Sequence, residues 1–227
     1  MASTVLPTPR RTLRNAAAIG IAVGVYGVSF GVLAVAAGLT PTQACVMSML
    51  TFTGASQFAC IGVLAAGGSA LAAMGPAVML AVRNAAYGLS LAPILPGRLR
   101  DRALLAQLVI DESTAMARAQ DDPAAARLAF LLTGVSVWLC WNVGTLAGAL
   151  LGGGLGDPRA LGLDAMFPAA FLALLAPQLR RPGAPVAAVA GAVIAVAVLP
   201  FAPAGVPVIA ALAGVVPGVL VARGIRA

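Results

Sequence analysis

Apolar runs as long as a bilayer is thick, punctuated by arginine, set the first limit on what this chain can fold into. Ala16–Leu39, Ala70–Leu95, Ala126–Leu151, Leu161–Leu179, Val186–Phe201 and Val206–Val221 carry little charge. Most of them reach across a hydrocarbon core of about 30 Å at about 1.5 Å per helical residue. Lipid offers no hydrogen bonds, so a spanning backbone must satisfy its own N–H and C=O groups as a helix or a closed barrel. The runs are far longer than barrel strands. The fold class they predict is all-α, a polytopic transmembrane helical bundle forming one domain over 1–227, with 1–15 as a cytoplasmic N-terminal tail.

Composition agrees, since 61% of the 227 residues are apolar and only 9% are charged, too few to cover a water-soluble domain. The net charge of +7 does not point to nucleic acid, because the basic residues neither alternate with stacking aromatics nor form a basic domain. Arg10, Arg11 and Arg14 precede the first run, Arg98, Arg100 and Arg102 follow a later one, and Arg180, Arg181, Arg223 and Arg226 flank others. Loops that obey the positive-inside rule look like this.

Two stretches break the pattern. Thr42–Ala66 is apolar but interrupted by the polar run Thr51–Gln57, and Leu104–Gln120 is short with acids at its centre. If both crossed fully, the Arg98–Arg102 loop would face outward. If each dips in and returns, Arg98–Arg102, Arg118, Arg127, Arg180–Arg181 and Arg223–Arg226 all fall inside, and only Arg159 is external. The expected topology is six full spans plus two broken or re-entrant segments in the cell inner membrane, both termini cytoplasmic. Backbone that is not helical at membrane depth is tolerated only where protein covers it or a cavity meets it, so these two segments mark the expected site.

In the first, Thr51-Phe-Thr-Gly-Ala-Ser-Gln57, Gly54 lets a helix break, and the freed N–H groups near Thr53, Gly54, Ser56 and Gln57 suit a carboxylate at the positive end of a half-helix. The alternative is that Ser56 and Gln57 tie helices together by hydrogen bonds. In the second, Asp111-Glu112-Ser113-Thr114, adjacent carboxylates cost about 2.5–3.5 kcal/mol each at the centre of a membrane helix. They suit a proton or an ammonium group, unless the segment lies at the interface with the acids in water. In Arg83-Asn84-Ala85-Ala86-Tyr87, a lone arginine within an apolar run needs a partner, with Asp111 or Glu112 as candidates, and Tyr87 shares its face one turn on. Snorkelling of Arg83 to the interface is the bland reading.

Weaker signals are Trp141, Asn142 and Asp164. Glycine spacings at Gly20/Gly24, Gly27/Gly31, Gly144/Gly148/Gly152 and Gly214/Gly218 allow close helix packing. Cys45, Cys60 and Cys140 lack metal or redox spacing and read as small hydrophobes. The first apolar run outlasts a signal-peptide core and reads as a retained anchor. With no histidine and no lysine, His-based triads, His metal sites, a Schiff base and a Walker-type ATP site are unavailable. The expectation is a non-enzyme with no catalytic residues, no metal and no cofactor.

These motifs together carry a family resemblance. Gly27-Val-Ser-Phe-Gly31, Ser48 through Phe58, Arg83 through Leu91 with Tyr87, Asp111-Glu112-Ser113, Trp141-Asn-Val-Gly144 and Gly162 through Phe167 resemble AzlC, the large subunit of branched-chain amino acid permeases associated with azaleucine resistance. Where that family often has Asn-x-Arg-His, this chain has Ala81, Arg83 and Asn84. The resemblance implies secondary export of branched-chain amino acids, in some members methionine, alongside a small hydrophobic AzlD-like membrane subunit. On that reading the substrate-binding set is Thr53, Gly54, Ser56, Gln57, Phe58, Arg83, Asn84 and Tyr87, with proton coupling or ammonium binding at Asp111, Glu112 and Ser113. A non-transporting scaffold, or a channel for another solute, is the alternative from a different class.

Overall fold

The computed structural model describes residues 9–95, 97–154, 169, 172 and 175–224. Their regular elements are all helical: α1 (Pro9–Ala36), α2 (Pro41–Leu50), α3 (Ala55–Ala65), α4 (Ala70–Leu91), α5 (Leu99–Ala106), α6 (Asp111–Arg118), α7 (Pro123–Gly154), α8 (Ala184–Val198), α9 (Val206–Ala210) and α10 (Val215–Gly224), with short 3-10 turns at Gln178–Arg180 and Ala211–Gly214. Most of the predicted span Leu161–Leu179, with Arg159, Asp164, Pro168 and the Gly162–Phe167 motif, lies outside the described residues.

Among the described residues three stretches are long and apolar enough to cross a membrane, Pro9–Ala36, Pro123–Gly153 and Val206–Gly224. The predicted run from Ala70 becomes the 22-residue α4, long enough for the core but diluted by Arg83 and Asn84. Val186–Phe201 becomes the 15-residue α8, about 22 Å of helix. Both irregular stretches are broken, as their polar interruptions predict: α2 ends at Leu50 before α3 starts at Ala55, and α5 ends at Ala106 before α6 starts at Asp111.

The chain divides into two compact units, one made of Met1–Val35, Leu39–Gln57 and Leu80–Leu155, the other of Ala36–Gly38, Phe58–Met79 and Gly156–Ala227. In the first, α1 and α7 run parallel along a glycine seam. A Cβ at Gly20 would meet Ser136, at Gly24 Cys140, at Gly27 Trp141 and at Gly31 Thr145, so contacts advance together along both helices. At Gly148 an added Cβ would land on the Val28 carbonyl oxygen, which is why the residue has no side chain there. The second unit repeats the device, with Gly214 against Gly191 and Gly218 against Ala187. Its share of α4 packs Gly75 against Ile209 and Ala72 against Gly205.

Direction within the first unit can be followed element by element. α2 is antiparallel to α7, because Pro41 lies by Gly153, Ser48 bonds Thr145 and Gly54 lies by Trp141. The second half of α4, the α5–α6 pair and α7 share a buried cluster of Leu91, Leu95, Val109, Ala117 and Phe130. Leu108 abuts Gly134, so α6 descends toward the start of α7. Thr40 begins α2 with a reciprocal cap: its hydroxyl accepts the Gln43 N–H at 3.2 Å, and its own N–H donates to Gln43 Oε1 at 2.8 Å.

Candidate functional site

The two helix breaks meet α7 near its midpoint. Gly54, in the first break, has Trp141 as its neighbour, while Leu108, in the second, has Gly134. These α7 residues lie two turns apart, about 10 Å along the axis. Gln107 joins the breaks directly, its Nε2 donating to Met49 O at 2.7 Å and Leu50 O at 3.4 Å. The last turn of α2 has carbonyls with no helical partner, and Gln107 covers those of Met49 and Leu50. Met47 O accepts from Thr51 N–H at 2.9 Å, from Thr51 Oγ1 at 2.7 Å and from Gln57 Nε2 at 3.4 Å.

Gly54 turns the chain with φ +59°, the left-handed region where a side chain is strained. Its N–H donates to Gln57 Oε1 at 3.2 Å. Gln57, with no exposure to solvent, therefore straps the start of α3 to the end of α2. Thr53 and Ser56 share a hydroxyl–hydroxyl hydrogen bond across the same turn. The hydrogen-bonding alternative raised for Ser56 and Gln57 describes these contacts, and the Gly54 amide is engaged here. Beside the break Phe30 of α1 stacks on Trp141, ring centroids 6.0 Å apart. Phe58 is buried and belongs to the second unit.

At the second break, Ser113 closes the turn. Its Oγ accepts the Ile110 N–H at 3.2 Å and lies 2.6 Å from Leu108 O as a donor. This fixes the start of α6 and aims Asp111 at α4. Arg83 Nη1 meets Asp111 Oδ2 at 2.9 Å, the one ion pair among the described residues. On α4 the half-buried Arg83, Asn84 and Tyr87 lead to the buried Leu91, while Val82, Ala85, Ala86 and Leu89 face outward. Tyr87 packs on the Leu91–Phe130 cluster, which keeps α4 and α6 parallel below the pair. The pair's side chains keep 40% and 42% of their surface, so it is reachable. Glu112 is half-buried beside it.

On α4 and α6, Arg83 Nε, Asn84 Oδ1, Asp111 Oδ1 and Thr114 Oγ1 are buried with no hydrogen-bond partner, and on α7 Thr133 Oγ1 and Asn142 Oδ1 are in the same condition. Gln107 and Thr133 were not legible in the sequence as site residues. Gln107 is a single amide in an apolar stretch, and a lone helical threonine most often bonds its own backbone. A pocket of about 140 Å³ lies at the far end of the α4–α6 seam, lined by Ser90, Leu91, Ile94, Arg118 and Asp121 among others. A larger hollow of about 420 Å³ in the second unit is lined only by Ala192, Val193, Val196 and Ala197 and offers no polar chemistry.

The profile of one family, AzlC protein, matches residues 18–155, which takes in both breaks, the ion pair and α7. The chain belongs to the AzlC family. This AzlC-family chain is 33% identical over 204 residues to the inner membrane protein YgaZ of Escherichia coli strain K12, a match covering 86% of the chain and 81% of that relative. No solved structure matches the AzlC-family chain.

Proposed function

We propose that this AzlC-family protein is the large subunit of a secondary transporter that exports branched-chain amino acids, and methionine, across the bacterial inner membrane with a small AzlD-like partner. The observation that carries the reading is the reachable Arg83–Asp111 pair set where two half-helices meet near the midpoint of α7. Charged groups at that depth are costly in lipid, so water or a polar solute covers them. A zwitterion needs opposed charges close together, which the pair supplies. The substrate carboxylate goes to Arg83, because the Gly54 amide is held by Gln57. The ammonium goes to Asp111 and Glu112, and proton coupling to the same acids. No Walker-type ATP motif occurs in the sequence, which favours secondary transport.

We assign six full spans and two re-entrant segments, termini cytoplasmic. Helix directions support this. α1 and α7 run one way, and the second half of α4 runs the other, with Leu91 and Ile94 near the start of α7. A chain that rises through α1 and descends through the second half of α4 fits a Pro41–Ala65 segment that dips and returns. The same argument returns Leu99–Arg118 to the side where α7 starts.

The test is efflux of preloaded leucine, valine, isoleucine and methionine from cells expressing the chain with and without its small partner. Faster efflux that needs both chains and is lost in Arg83→Ala or Asp111→Asn at normal expression is the expected result. Unchanged efflux in every combination overturns the transporter reading.

A further inference from the structure

Four of the unpartnered buried atoms are oxygens carried by α4, α6 and α7, the helices that pack together beside the ion pair. Asp111 gives one carboxylate oxygen, Oδ2, to Arg83 and leaves Oδ1 buried with no hydrogen bond. Asn84, next to Arg83, leaves Oδ1 in the same condition. Thr114 lies one turn beyond Asp111 on α6, is 5% exposed, and its hydroxyl has no partner. Thr133 on α7 has no exposure at all and an equally unpartnered hydroxyl. α6 and α7 are antiparallel, with Leu108 against Gly134 and Ala117 in one cluster with Phe130, which sets Thr114 and Thr133 within the stretch of the seam between those two contacts. Buried oxygens are rarely left without a donor, since each costs about 1–3 kcal/mol. Oxygens in this condition are satisfied by a ligand that brings positive charge or N–H donors.

We infer that Asn84, Asp111, Thr114 and Thr133 form an oxygen-lined seat for a small monovalent cation, either the primary ammonium of an amino acid or an alkali ion of sodium size. Carboxylate, amide and hydroxyl oxygens are the donor set that hard cations take, and an ammonium needs three such acceptors. The seat rests on the transport reading only for its use; binding itself needs neither flux nor partner. It adds Thr114 and Thr133 to the residues that decide which solutes are held.

The experiment is thermal unfolding of the purified full chain in detergent, followed by tryptophan fluorescence. One arm compares sodium, potassium and choline chloride at equal ionic strength. The other compares leucine with 4-methyl-2-oxopentanoate, which keeps the carboxylate and alkyl chain but has a ketone in place of the ammonium. A Tm raised by sodium over choline assigns the seat to an alkali ion; a Tm raised by leucine and not by the oxo acid assigns it to ammonium. In either case Thr114→Val and Thr133→Val weaken the effective ligand about tenfold or more, and Thr→Ser at each position restores it. A chain whose Tm responds to none of these ligands, or responds equally in both Val variants, overturns the seat. Efflux that persists with no such response removes the seat and spares the transporter, whereas binding without efflux does the reverse.

Discussion

At the scale of single residues the chain concentrates its polar chemistry where helical hydrogen bonding stops. Arg83 and Asp111 are each costly alone in an apolar bundle and compensate each other at 2.9 Å. Their coupling predicts that Arg83→Ala and Asp111→Ala each destabilise the protein by about 1–2 kcal/mol, the pair being partly exposed, while the double variant is no worse than either single one. A double-mutant cycle in denaturant checks this, and additive losses would mean that the contact carries no energy. Gln57 is a stricter case. Its amide satisfies Gly54 N–H and Met47 O from a fully buried position, so Gln57→Leu leaves both backbone groups without that partner and lowers stability by about 1–3 kcal/mol. Gly54→Ala forces a side chain into a left-handed conformation at a cost of about 1–2 kcal/mol. Melting of the purified variants measures both effects.

At the scale of elements the question is what lets two broken segments be ordered in one bundle. The answer is close packing on one side and side-chain capping on the other. Along the α1–α7 seam, backbone meets backbone, so Gly148→Leu pushes the helices apart and removes most of the monodisperse protein recovered in detergent. Gly88, with open space where its Cβ would stand, is the control: Gly88→Ala leaves yield unchanged or gains up to about 1 kcal/mol from helix propensity. Size-exclusion profiles of the two variants side by side decide it. Gln107→Ala cuts the tie between the second break and the end of α2, and a loss of about 1–2 kcal/mol in stability is expected.

For the whole molecule the directions of α1, α4 and α7 carry the topological prediction. A reporter fused after Arg100 reads cytoplasmic, as do fusions at Arg11 and Arg223; a periplasmic signal after Arg100 would mean that the two broken segments cross. Cysteine labelling gives an independent check. A cysteine in place of Ser90, at the pocket of about 140 Å³ near Arg118 and Asp121, should react with an impermeant thiol reagent only from the cytoplasmic side.

The all-helical class, the apolar runs, both breaks and an acidic partner for Arg83, with Asp111 or Glu112 as candidates, were legible in the sequence. Each rests on a local rule: the length of an apolar run, the flexibility of one glycine, the cost of a lone charge in lipid. The glycine spacings likewise announced close packing, because a missing side chain at helical intervals leaves a groove whatever fills it. Which groove faces which was decided only by tertiary structure, as were the parallel course of α1 and α7, the meeting of both breaks at the middle of α7 and the tie made by Gln107. The same holds for Thr133, a lone hydroxyl in an apolar helix until α6 folds against it. Hydrogen bonds and ion pairs act over a few ångströms, so residues far apart in sequence gain a role only when packing has removed the distance between them.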